Sequence, residues 1–182
     1  MNRISLLLCT FLAAGCQSAS HPPLGDPPRV DLARFMGDWY VVANIPTFLE
    51  KDAHNAVESY RIDRDGSIET TFTFRAGAFD GEARRYALRG FVRDRDTNAR
   101  WGMQFIWPFR ADYRIAWVAP DYSATVIARE QRDYVWIMAR RPELADGEYQ
   151  RLVAYAASLG YDPARIRKVP QRWDAATGGG RP

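Results

Sequence analysis

Cysteine, histidine and lysine are scarce in this 182-residue chain, and each shortage removes a class of function. Cys9 and Cys16 are the only cysteines and both lie near the N-terminus, so the body has no thiol for a disulfide framework or a thiolate metal site. With His21 and His54 as the only histidines, a multi-His metal site cannot be assembled, and a nucleophilic triad would depend on His54 alone. No glycine-rich loop leads into a helix, so a nucleotide phosphate has no cradle. Lysine occurs only at Lys51 and Lys168; the 25 basic residues are nearly all arginine, scattered along the chain and almost balanced by 22 acidic ones. The formal charge of +3, one unit of it on Arg3, makes no basic patch for nucleic acid. Carboxylates are plentiful, but Asp63, Asp65, Asp94 and Asp96 stand in turn-rich stretches, where Asp has an ordinary structural role. The residues therefore favour a protein that is not an enzyme, with acid catalysis by a pair of carboxylates as the alternative they leave open, and no cofactor or metal is expected.

Long apolar runs are also missing. Ile4 to Leu12 is the leading apolar stretch and falls well short of the ~20 residues that span a bilayer. With Arg3 before it and the small residues Ala13-Ala14-Gly15 after it, the segment reads as a leader ending at Cys16. It resembles a bacterial lipoprotein signal, with Ala13 rather than the usual leucine three residues before the cysteine. That resemblance implies that residues 1–15 are removed and that Cys16 carries the lipid; ordinary secretion with cleavage nearby is the alternative. Gln17 replaces the Asp that retains similar enterobacterial lipoproteins at the inner membrane, which points to the outer membrane, facing the periplasm. Residues 16–29, rich in proline (Pro22, Pro23, Pro27, Pro28), read as an extended tether, and the folded domain is expected over 30–174. The glycine-rich end, 175–182, is expected to be disordered.

From Val30 onward, short apolar stretches alternate with turn residues at spacings typical of antiparallel sheets. Asp31 to Met36 suits a short helical turn. Strands are expected at Asp38–Ile45, Val57–Asp63, Ser67–Arg75, Arg84–Arg93, Arg100–Trp107, Tyr113–Ala119, Ser123–Glu130 and Tyr134–Arg140. Asp65-Gly66, Asn98, Pro108, Pro120-Asp121 and Arg132-Asp133 mark turns between them. The period then changes: Tyr149, Leu152, Val153 and Ala156 share one face of a helix capped by Asp146 and ended by Gly160. Eight short strands and one helix predict an all-β fold, an eight-stranded antiparallel up-and-down barrel with a C-terminal α-helix packed outside. A barrel of that size holds either its own side chains or one small ligand.

Three motifs stand in order along this pattern. Gly37-Asp38-Trp39-Tyr40 enters the first strand; Pro120-Asp121-Tyr122 precedes the seventh; Tyr134-Val135-Trp136-Ile137-Met138-Ala139-Arg140 forms the eighth. Together with the helix they resemble the lipocalin family over about residues 30–169, and within it the bacterial outer-membrane and apolipoprotein D-like members. The resemblance implies that Gly37 permits a tight entry, that Trp39 plugs the closed end and that Arg140 stacks on it, with the adjacent Arg141 as the rival for that role. It further implies a fatty acid or lysophospholipid ligand held without chemistry, and outer-membrane lipid as a second partner through the anchor. Homodimerisation is left open.

Alternation along strands extends the reading to a ligand wall. If Trp39 and Arg140 point inward, so do Val41, Ala43, Trp136 and Met138; Tyr60, Phe72, Phe74, Phe105, Trp107, Tyr113 and Trp117 are further candidates. These apolar and aromatic residues suit an acyl chain, or else a filled core, which would make the protein a structural or interaction lipoprotein of the envelope; a lipid-modifying enzyme is the remaining alternative. Glu58 shares parity with Tyr60 and so either faces the cavity or stands solvated at a strand end.

Overall fold

A computed structural model describes residue 21 and residues 23–173. The expected leader, Cys16, the first part of the tether and the tail 175–182 lie outside the described residues.

Eight antiparallel strands, each paired with its neighbour in sequence, close into a barrel: β1 Gly37–Ile45, β2 Ala53–Ile62, β3 Ile68–Ala76, β4 Ala83–Val92, β5 Arg100–Gln104, β6 Ala111–Val118, β7 Ala124–Ala128 and β8 Val135–Ala139. The helical turn α1, Leu32–Phe35, begins where Asp31 Oδ1 accepts from the backbone N–H groups of Ala33 and Arg34, and it lies across one end as a floor. The β1–β2, β3–β4, β5–β6 and β7–β8 loops surround the other end, the mouth. The expected architecture is present, with most strand boundaries within two residues; β2 starts four residues earlier than expected, at Ala53, across an irregularity between His54 and Val57. The fifth strand is shorter than expected: β5 stops at Gln104, and 105–110 turn back with Phe109 N–H donating to Ile106 O (2.9 Å). Pro108, which has no donor, is incompatible with a continuing ladder.

Closure at the seam is uneven. Gly37 to Tyr40 of β1 pair with β2, whereas Tyr40 to Ile45 pair with β8. Above Tyr40, β2 leaves β1, and the C-terminal segment fills the wedge. The short strand β9, Arg167–Lys168, pairs with Ala43 and Asn44. Beyond it, Val169 N–H donates to Val42 O (3.0 Å) and Gln171 Nε2 donates to both Val41 O (2.8 Å) and Ala56 O (3.2 Å).

The outer wall carries α2, Asp146–Ser158. Asp146 is not its cap: Ala145 holds that position without a side-chain bond, and Asp146 and Glu148 favour the first turn through the helix dipole instead. Leu152 and Ala156 bury against Ala43, Val126, Val135 and Ile137. A second core lies inside the barrel around Phe35, Trp39, Trp101, Ile115 and Met138. Much of the wall is therefore apolar on both faces. The segment before α1 lies along the barrel, with Leu24 buried in the outer core and Gly25 O accepting from Arg114.

Candidate functional site

The floor is built from the Gly-x-Trp-Tyr segment and Arg140. Gly37 adopts φ +92°, which allows the chain to turn from α1 into β1, and a Cβ at this position would meet Arg140 Nη1 at 3.4 Å. Trp39 is fully buried and its indole N–H donates to Phe35 O (2.8 Å). The Arg140 guanidinium lies over the Trp39 ring, with Cζ 3.8 Å from the centroid. Its nitrogens donate to the carbonyls of Asp38 (2.7 Å), Arg34 (2.8 Å), Phe35 (3.1 Å) and Met36 (2.8 Å). One side chain thus adds cation–π attraction and satisfies four acceptors at the closed end. The neighbouring Arg141 is exposed.

Above the floor is a cavity of about 290 Å³, at the small end of the range for ligand sites and predominantly apolar. Phe72, Leu88, Met103, Tyr113 and Trp136 line its wall, and Phe48, Leu49, Phe105 and Tyr134 frame the mouth. Its depth is polar. Glu58, directly across the strand pair from Trp39, accepts a short hydrogen bond from the Tyr60 hydroxyl, which in turn lies 2.6 Å from that of Tyr113. Burial pushes the Glu58 carboxyl up to about 7; the Tyr60 hydrogen bond opposes this and the charge of Glu50 adds to it. Burial also raises both tyrosines, and the nearby Glu58 charge acts in the same direction.

Nearer the mouth, the buried Glu50 accepts from Asn44 Nδ2 (2.9 Å), Thr47 Oγ1 (2.8 Å) and Trp136 Nε1 (3.0 Å). Arg129 also borders the cavity, paired to Asp133 (3.0 Å); its Nε is buried and has no hydrogen-bond partner among the described residues.

The structure brings Phe72, Phe105, Tyr113 and Trp136, from the expected wall, to the cavity. Val41, Tyr60, Phe74 and Met138 point inward but are packed in the inner core without lining the space. Three positions depart from the expectation. A bulge between Val41 and Ala43 shifts the register of β1, so Ala43 pairs with Ile137 and faces outward beneath α2. A second bulge, between Ile115 and Trp117, turns Trp117 outward, where it meets Tyr155 and Arg151 of the helix. Trp107 stands in the β5–β6 loop, 82% exposed. Tyr86, Leu88 and Met103 line the cavity and were missed, although Tyr86 and Leu88 pair directly with Phe72 and Thr70 and share their face. That cross-strand relation was the available signal; the loop residues Phe48 and Leu49 offered none.

Comparison with known proteins agrees with this architecture. A family model described as a lipocalin-like domain matches residues 30–171. Temperature-induced lipocalin-1 of Arabidopsis thaliana is 28% identical over 154 residues, covering 78% of this chain and 80% of its own length. Outer membrane lipoprotein Blc of Vibrio cholerae is 25% identical over 179 residues (94% and 100%), and that of Escherichia coli K12 is 24% identical over 170 (92% and 95%). Among solved structures, insecticyanin of the tobacco hornworm Manduca sexta superimposes with a TM-score of 0.62 at 15% identity, covering 86% of this chain and 87% of that one. Lobster apocrustacyanin A1 gives 0.60 at 18%, covering 78% and 79%. With the motifs, the closed barrel and a family match over most of its length, the chain belongs to the lipocalin-like family.

Proposed function

We propose that this protein binds one single-chain amphiphile, a fatty acid or lysophospholipid, and carries or stores it in the cell envelope without altering it. The observation that carries the reading is the cavity: apolar on its wall, closed at one end by Trp39 and Arg140, and open at the other. Its volume suits one acyl chain better than two. Arg129 borders the mouth of the cavity and brings a guanidinium within reach of a carboxylate or phosphate there, which orients the ligand head outward and tail inward. Cys16 is the proposed lipid attachment, holding the barrel at the outer membrane on the periplasmic side, as the names of the bacterial relatives encourage.

Trp136 tests the reading directly. A brominated fatty acid is expected to quench tryptophan fluorescence saturably. In Trp136→Phe the quenching falls clearly while affinity measured by competition is retained, because Glu50 keeps its bonds from Asn44 and Thr47. Quenching that never saturates, or that is undiminished in the variant, would mean that no acyl chain lies against this wall.

A further inference from the structure

We propose that the mouth of the barrel docks onto a lipid bilayer, with the β5–β6 loop inserted at the interface as an apolar wedge. This rests on the lipid-carrier reading and adds to it the route by which the ligand enters. Five of the six large apolar side chains that are exposed among the described residues stand at this one end: Phe48, Phe105, Ile106, Trp107 and Phe109. The sixth, Ile62, ends β2 near the floor. Trp107 is 82% exposed, Phe109 76% and Phe48 75%, a concentration that water does not favour and that an interface would cover. Tryptophan and phenylalanine beside cationic side chains suit the headgroup region; Arg110, its guanidinium over the Phe91 ring (3.5 Å), ends the wedge, and exposed Lys51 stands in the β1–β2 loop at the same end. Phe105 of the wedge and Phe48 of the β1–β2 loop both border the cavity, so a bilayer seated here would meet the opening itself.

The course of the N-terminal segment supplies an independent argument. Traced backwards from Val30, which is bonded to Thr97 near the floor, the chain passes Gly25 at Arg114 and reaches His21 beside Gly160. Gly160 follows the end of α2, where Arg132 of the β7–β8 loop donates to Leu159 O (2.8 Å), and this is the mouth end. Cys16 is five residues before His21, a reach of at most ~18 Å when fully extended. The barrel is taller than that: nine residues of β3 rise about 30 Å along the strand, which at a tilt of about 40° is roughly 23 Å of barrel height. With Leu24 buried and Gly25 held by Arg114, a membrane that holds Cys16 therefore lies at the mouth and not at the floor. The anchor and the wedge select the same orientation.

The test removes the anchor and retains the wedge. Every strand and α2 lie within residues 23–173, so the chain from residue 16 carrying Cys16→Ser keeps all the contacts that close the barrel. It is expected to co-sediment with vesicles of phosphatidylethanolamine and phosphatidylglycerol, and acyl-brominated lipid in those vesicles should quench Trp107. Adding Trp107→Ser and Phe109→Ser should lower partitioning roughly tenfold or more. Fatty-acid binding without vesicles and the urea midpoint should be unchanged, since neither residue lines the cavity. Ile62→Ser, at the other end, should leave partitioning intact. Failure of the Cys16→Ser chain to bind vesicles, equal partitioning of the loop variant, or an equal loss in Ile62→Ser would each overturn the docking proposal. Fatty-acid binding in solution would still decide the carrier reading separately.

Discussion

At the floor, Arg140 spends its donors on four carbonyls and its flat face on Trp39, while Phe35 packs within 5.0 Å of Trp39 and 5.6 Å of Trp101. At the mouth, aromatic rings face solvent, a cavity of about 290 Å³ stands open, and the Arg129 guanidinium borders it. One end has nearly all its groups satisfied internally; the other holds groups that only something external can satisfy. Stability is therefore concentrated at the floor and binding capacity at the mouth. Substitutions that lower stability without touching binding belong at one end, and the converse at the other.

The largest effect is expected from Arg140→Ala. It loses the cation–π contact and the donors to four carbonyls at a half-buried site, for a cost of about 3 kcal/mol. Arg141→Ala, on an exposed side chain, should cost less than about 0.5 kcal/mol. Urea titrations with unchanged slope would read the difference as a shift in midpoint, and similar midpoints would break the contrast between the two ends. Fatty-acid affinity in folded Arg140→Ala should hold, since the residue does not line the cavity.

The same contrast explains what could be read from the sequence. The floor depends on a local motif, Gly37 to Tyr40, and on one arginine at the end of the last strand, so the resemblance to the lipocalin motifs named its residues without knowledge of how the strands pack. Side-chain direction was readable only where one face of a strand is apolar and the other polar. In β1 the run Val41-Val42-Ala43 and in β6 the run Ile115-Ala116-Trp117 are apolar throughout, because the cavity side and the α2 side are both covered. Without alternation, nothing in the sequence marks the bulges that send Ala43 and Trp117 outward. At the mouth the error had the opposite origin. Trp107 has the parity of Met103 and Phe105, and Phe105 does border the cavity, but Trp107 belongs to an apolar loop, where exposure is decided by what the protein meets and not by its own core.

An intermediate effect is expected where floor and cavity meet, at Glu58. Its folded-state value of about 7 lies above the ordinary 4.5, so between these values the native state holds a proton that the unfolded chain has released. Glu58 therefore costs nothing below about pH 4.5, and stability falls as pH rises from there through 7. Such a shift corresponds to about 3 kcal/mol, and screening through the open mouth brings the expected difference to about 2. Glu58→Gln should match the parent near pH 4 and exceed it by that amount at pH 8, measured by urea unfolding across pH. Acyl-chain affinity should weaken above pH 7 in the parent, as charge appears at the cavity's depth, and stay level in the variant. Tighter binding above pH 7 would instead place a cationic group against Glu58, reversing the proposed head-out orientation.

The smallest expected effect marks where the floor gives way to the mouth. The β1–β2 ladder ends at Tyr40 and Val57, and above it Gln171 Nε2 spans the opening seam by donating to Val41 O and Ala56 O, one carbonyl on each strand. Gln171→Ala removes both bonds and the one that Gln171 Oε1 accepts from Trp173 Nε1 (2.7 Å), but the seam is not lost, because Val169 still donates to Val42 and Asn55 N–H to Pro170 O (2.8 Å). The expected cost is about 1 kcal/mol, the ordinary net worth of one or two such hydrogen bonds. Its distribution is more informative than its size. Amide exchange should quicken around Val41, Val42 and Ala56 in the variant while Trp39 and its neighbours at the floor keep their protection, since Arg140 holds them independently. If exchange at the floor quickened equally, the barrel would open as one unit, and the division into a rigid closed end and a yielding open end would not describe this protein.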